Sequence, residues 1–88
     1  MAGYMPGAVL DKILEAVRSS APLRQRQNEA ELITRKFLVD LANAPKAIDR
    51  VHEKQWLIDR LRTGVMRHSQ EEGAAVCQTA LKILNDTP

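Results

Sequence analysis

Pro22 and Pro45 cut the chain into three stretches, and within each the apolar side chains recur every third or fourth residue rather than every second. A repeat near 3.6 belongs to a helix with one buried face, so the prolines read as helix boundaries and no strand pattern competes. Proline suits the first turn of a helix, where its missing N–H has no partner to lose, and it disfavours α conformation in the residue before it. The first helix is predicted from Gly7 to Ser19, with Leu10, Ile13, Leu14 and Val17 inward and Ser19-Ser20-Ala21-Pro22 as its stop. The second runs from Pro22, with Ser20 as candidate cap, to Asn43-Ala44-Pro45, and turns Ala30, Ile33, Phe37, Leu38 and Leu41 to one side. The third opens at Pro45, carries Ile48, Val51, Ile58, Leu61 and Val65 as its stripe, and ends near Thr63-Gly64 or frays on to His68. Ser69-Gln70-Glu71-Glu72 has the spacing of a capping box and starts a fourth helix with Val76, Cys77, Ala80, Leu81, Ile83 and Leu84 inward.

A chain of 88 residues is one domain with a modest core. Short connections make consecutive helices antiparallel neighbours, so the predicted fold is all-α: a four-helix up-down bundle built from two helical hairpins, 7–44 and 45–86, behind a flexible N-terminal arm at 1–6. The alternative is two hairpins stacked as in solenoid repeats or swapped between two chains. An internal similarity bears on that choice. At an offset of 43 residues Gln27 aligns with Gln70, Glu29 with Glu72, Ile33 with Val76, Leu38 with Leu81, Leu41 with Leu84 and Pro45 with Pro88. The period lies within that of two-helix solenoid units, yet two unrelated amphipathic helices also share apolar spacing, an early glutamate and a closing proline, so duplication stays open.

Chemistry is sparse. Cys77 is the lone cysteine, which excludes an intrachain disulfide, fits a reducing compartment, and on the apolar face reads as a small buried hydrophobe. His52-Glu53-Lys54-Gln55-Trp56 places tryptophan where a zinc protease needs its second histidine. His68 has no ligand neighbour, and there is no glycine-rich phosphate loop or nucleophile with a base, so no cofactor, metal site or enzymatic activity is expected. No apolar run approaches membrane-spanning length and no secretory signal opens the chain, so the expected location is cytoplasmic, with a nuclear one open.

Binding is what remains. In an up-down bundle the first and third connections share one end, which gathers Arg18, Arg24 and Arg26 with Arg62, Arg67 and His68 into an arginine-rich pole opposite Asp11, Asp40, Asp49 and Asp86. Arginine forks suit carboxylates or phosphates, although cations also settle at helix C-termini for the sake of the helix dipole alone. Trp56 points nearly opposite the third helix's stripe, and Leu32 and Val39 lie on the back of the second. A tryptophan with accessory aliphatics is the composition of a binding hot spot; the plainer alternative is that Trp56 covers a neighbouring helix or the N-terminal arm. These features predict a small helical protein–protein interaction module, an adaptor, inhibitor or regulatory subunit. It would contact another protein or a second copy of itself through Trp56, Leu32, Val39, Arg24, Arg26, Arg62 and Arg67. The alternative is a nucleic-acid-associated protein holding phosphates at the arginine pole, without the aromatic interleaving that base stacking needs.

Overall fold

The computed structural model describes residues 6–43, 47–67 and 71–86. They form four helices, α1 (Pro6–Arg18), α2 (Leu23–Ala42), α3 (Ala47–Arg67) and α4 (Glu71–Asp86). The ends follow from local chemistry. At the close of α1 the Arg18 Nε donates to the Leu14 carbonyl oxygen at 3.3 Å, a cation serving a helix C-terminus. Pro22, and not Ser20, holds the cap position of α2; its backbone is extended and no side chain caps the helix, while Ser19 Oγ accepts from the Ala21 N–H at 3.1 Å. Asn43 ends α2 by donating from its backbone N–H to Asp40 O and from its side-chain amide to Val39 O, which satisfies carbonyls that the helix leaves over. The Ser69 capping box lies outside the described residues.

The four helices pack as an up-down bundle whose cross-section is a rhombus. α1 packs on α2 and α3 on α4, as hairpins do. α2 and α4 make the most extensive contact of all, α1 lies along both α3 and α4, and α2 and α3 hardly touch. Consecutive helices are therefore not neighbours throughout: α2 and α3 occupy the far corners, with α1 and α4 between them. A salt bridge from Arg26 in the first turns of α2 to Glu72 at the start of α4 shows that these two helices run in the same direction. The hairpins are thus stacked like on like, α1 against α3 and α2 against α4. Small buried side chains lie on the inward faces, Ala16 on α1, Ala30 on α2 and Gly73, Cys77 and Ala80 on α4.

The core is filled by Phe37, Ile13, Leu57, Leu61, Leu84 and Val76, with Val9, Leu10, Val17, Leu23, Ile33, Leu38 and Leu81 half-buried around it. The inward faces of α1, α2 and α4 follow the predicted spacing except at Leu14 and Ile83, which are half-buried and not among the side chains packed on the core. α3 departs further. Leu57, absent from the predicted stripe, is fully buried beside Ile58 and Leu61, whereas Val51, assigned to it, is 66% exposed. The side chains of Ile48 and Val65 lie outside the described set. Helix length explains Val51. A methyl group at Gly64 would stand 3.6 Å from the Cys77 Sγ, which sets α3 and α4 level at those residues. From there α4 has nine residues left to Asp86 but α3 has seventeen back to Ala47. At about 1.5 Å per residue, α3 outruns α4 by about 12 Å, and Val51 sits on the overhang.

The offset of 43 residues is also the register of the structure. Ala30 and Gly73, Thr34 and Cys77, Phe37 and Ala80, Leu41 and Leu84 are buried in pairs, and the exposed pairs Arg35 and Gln78, Val39 and Lys82, Ala42 and Asn85 agree as well.

Candidate functional site

Arg26 continues the inward stripe of α2, at 26, 30, 34, 37 and 41, and is only 7% exposed. A guanidinium in that position must satisfy its donors within the protein. Its Nε donates to Ala21 O at 2.8 Å, its Nη1 to Val17 O at 3.3 Å and its Nη2 to Glu72 Oε1. One side chain therefore closes the C-terminus of α1, the link to α2 and the first turn of α4, and it proves that the first and third connections share an end. The expectation that Arg26 offers its fork to a partner is corrected by this placement, since all three nitrogens are engaged inside the fold. Arg24 and Arg62 are exposed, as is Arg18, while the side chain of Arg67 and all of His68 lie outside the described residues. The opposite end holds exposed Asp11 and Asp86 and half-buried Asp40; the side chain of Asp49 is not among those described.

Trp56 lies on the outer side of α3 and is 36% exposed. The Arg60 guanidinium stands over its ring, 5.2 Å from the centroid, a cation–π contact one helical turn along worth about 0.5–1 kcal/mol at an exposed site. Exposed His52 and Asp59 complete the turn on either side, so Trp56 is an aromatic face set among polar groups. On α2, Leu32 is 70% and Val39 62% exposed, two turns apart on one face. Because α2 and α3 occupy far corners of the rhombus, Trp56 does not join Leu32 and Val39 in one patch. Among the described residues, Trp56 and the Leu32–Val39 pair therefore lie on separate surfaces.

Among the described residues no group of three histidine, cysteine, aspartate or glutamate side chains is placed to hold a metal ion. Cys77 is fully buried, and burial pushes its thiol above the ordinary value, which disfavours the thiolate a nucleophile needs. Thr34, also buried, keeps its hydroxyl in the helix by donating to Ala30 O at 2.7 Å. No described helix is long and apolar enough to cross a membrane. Sequence reasoning missed the internal role of Arg26, yet the signal was present: position 26 falls four residues before Ala30 on the stripe that Phe37 and Leu41 define. No family model matches the chain, and no curated protein or solved structure matches it significantly.

Proposed function

We infer that this domain is a helical protein–protein interaction module, an adaptor, inhibitor or regulatory subunit whose mechanism is binding alone. The observation that carries the reading is the pair of outer faces. Leu32 and Val39 on α2 and Trp56 on α3 stay accessible in a domain with few large side chains to fill its core. Trp56 is the natural anchor on α3, since a tryptophan supplies a broad, stiff contact area and Arg60 already holds the ring in place. Arg24 and Arg62 supply positive charge near the turn end for orientation and encounter rate. The nucleic-acid alternative loses ground because Arg26, central to the proposed phosphate-holding pole, is consumed within the fold.

The test is an affinity capture with the tagged wild-type chain beside Trp56→Ala and Leu32→Asp, each washed at low and high salt. The expected result is a captured protein that Trp56→Ala or Leu32→Asp loses, retained at high salt. Loss of a single contact worth about 2 kcal/mol weakens binding about thirtyfold. Capture of nucleic acid that falls away steeply with salt, indifferent to both substitutions, would instead support phosphate binding and overturn the reading.

A further inference from the structure

We propose that the outer face of α2 is a self-association surface, on which two copies of this chain meet in an antiparallel α2–α2 contact about a two-fold axis. This rests on the reading of that face as a contact surface and names its occupant. Gln25, Asn28, Leu32, Arg35, Val39 and Ala42 are all exposed and follow one another at intervals of 3, 4, 3, 4 and 3, the spacing of a seam where one helix lies along another. The face is open because α3, the next helix in the chain, stands at the far corner of the bundle. The matched positions of α4 do not repeat its character: where α2 has Leu32 and Val39, α4 has Ala75 and Lys82. The two exposed aliphatic side chains of the seam, Leu32 and Val39, are therefore particular to α2.

Charge names the partner. Acidic Glu29 and Glu31 precede Leu32 on α2, and basic Arg35 and Lys36 follow it. A row that runs from negative to positive is complementary to itself when reversed. A two-fold axis crossing α2 beside Ile33 sets Glu29 of each copy against Lys36 of the other, and brings the two Leu32 side chains together at the centre. In an antiparallel pair, positions on the same edge of the seam meet each other, and Glu29 and Lys36 share an edge. Arg35 is held by Glu31 of its own helix at 3.0 Å, but among the described residues neither Glu29 nor Lys36 has an ion pair within the chain. A single-helix contact buries less than the roughly 1,200 Å² of a standard interface, so the dimer is weak and reversible, with dissociation in the high-micromolar range.

Sedimentation equilibrium of the full chain at about 0.02–1 mM decides the matter, with circular dichroism to establish that each surface variant stays helical. The wild type is expected to move from 9.9 kDa toward twice that mass as concentration rises. Glu29→Lys and Lys36→Glu each turn two attractions into two repulsions, and should weaken association about tenfold. An equimolar mixture of those two variants should associate again, because each then supplies the charge the other lacks. Leu32→Glu should abolish the dimer, and Trp56→Ala should leave it unchanged. A monomer at the highest concentration, or a dimer in which the mixture does not recover, overturns the proposal and leaves the Trp56 surface as the contact for a different protein. A dimer lost on Trp56→Ala and indifferent to Leu32→Glu would move self-association to α3 and overturn it equally.

Discussion

α2 and α4 run side by side in the same direction and share an inward code, yet they face the outside differently. Along their matched positions most buried residues coincide, from Ala30 and Gly73 through Leu41 and Leu84, while Val76 is fully buried where Ile33 is half-buried. α4 also packs on α1 and α3, so its outward strip is narrow and carries Gln78, Lys82 and Asn85. α2 sits at a corner of the rhombus and has a wide outer face, on which Leu32 and Val39 are 70% and 62% exposed. Closely similar burial registers thus place one helix in the middle of a bundle and the other at its margin. The difference lies in the size of the inward side chains: α2 contributes Phe37 where α4 contributes Ala80, so the central helix is the thin one. What the fold demands is written on the inward faces, and what is left for binding is written on the outward face of α2.

The largest effect expected from breaking that contrast is at its bulky end. Phe37→Ala empties the space that small Ala80 cannot fill and should cost about 3–5 kcal/mol, read from urea unfolding. A variant that lost less than about 1 kcal/mol would show that α2 and α4 collapse together to close the gap. Next comes the tie between the two first turns. Arg26→Ala strands two carbonyl oxygens and a carboxylate and should cost about 2–3 kcal/mol. Glu72→Gln, whose side chain is 58% exposed, should cost under about 1 kcal/mol. Equal losses would mean that the ion pair, rather than the bonds to the α1 carbonyls, holds the end closed.

The third contrast is between Thr34 and Cys77, which occupy matched buried positions. Burial raises the thiol's pKa in the folded chain, so the folded state keeps its proton where the unfolded state loses it. This contribution to stability is fully present below the unfolded thiol's ordinary value, about 8.5, and is lost as pH rises from there through the folded value. Cys77→Ala should flatten the alkaline fall of a thermal melting series, and a profile unchanged by that substitution would remove the thiol as its source. The smallest effect belongs to the outer face. Leu32→Ala should change the stability of the dilute monomer by no more than about 0.5 kcal/mol, whereas a loss above about 1 kcal/mol would place that side chain in the fold rather than on its surface.

Periodicity and proline made the helices and most of the core legible. Ile13, Phe37, Leu41, Val76, Cys77 and Leu84 lie where their spacing puts them. Val51 escaped because its angle on α3 is right, one pair of turns from Ile58, while its height is wrong; periodicity reports direction around a helix and nothing about where neighbouring helices stop. Arg26 is not legible from its charge, which ordinarily marks exposure; its position on the stripe outranks that charge once Glu72 and the carbonyls of Val17 and Ala21 satisfy it. The separation of Trp56 from Leu32 and Val39 depends on which helices occupy opposite corners. Short connections are compatible with more than one cyclic order, and only packing in three dimensions selects among them.

The guanidinium of Arg26 and the carboxylate of Glu72 are 46 residues apart along the chain. During synthesis, the amino-terminal hairpin is complete and exposed well before α4, the helix that covers Phe37 and Leu41, leaves the ribosome. Until then the inward face of α2 lacks its most extensive partner, and Arg26 lacks its counterion. A chain truncated before α4 should therefore be a substrate for chaperones and proteases rather than a smaller working domain.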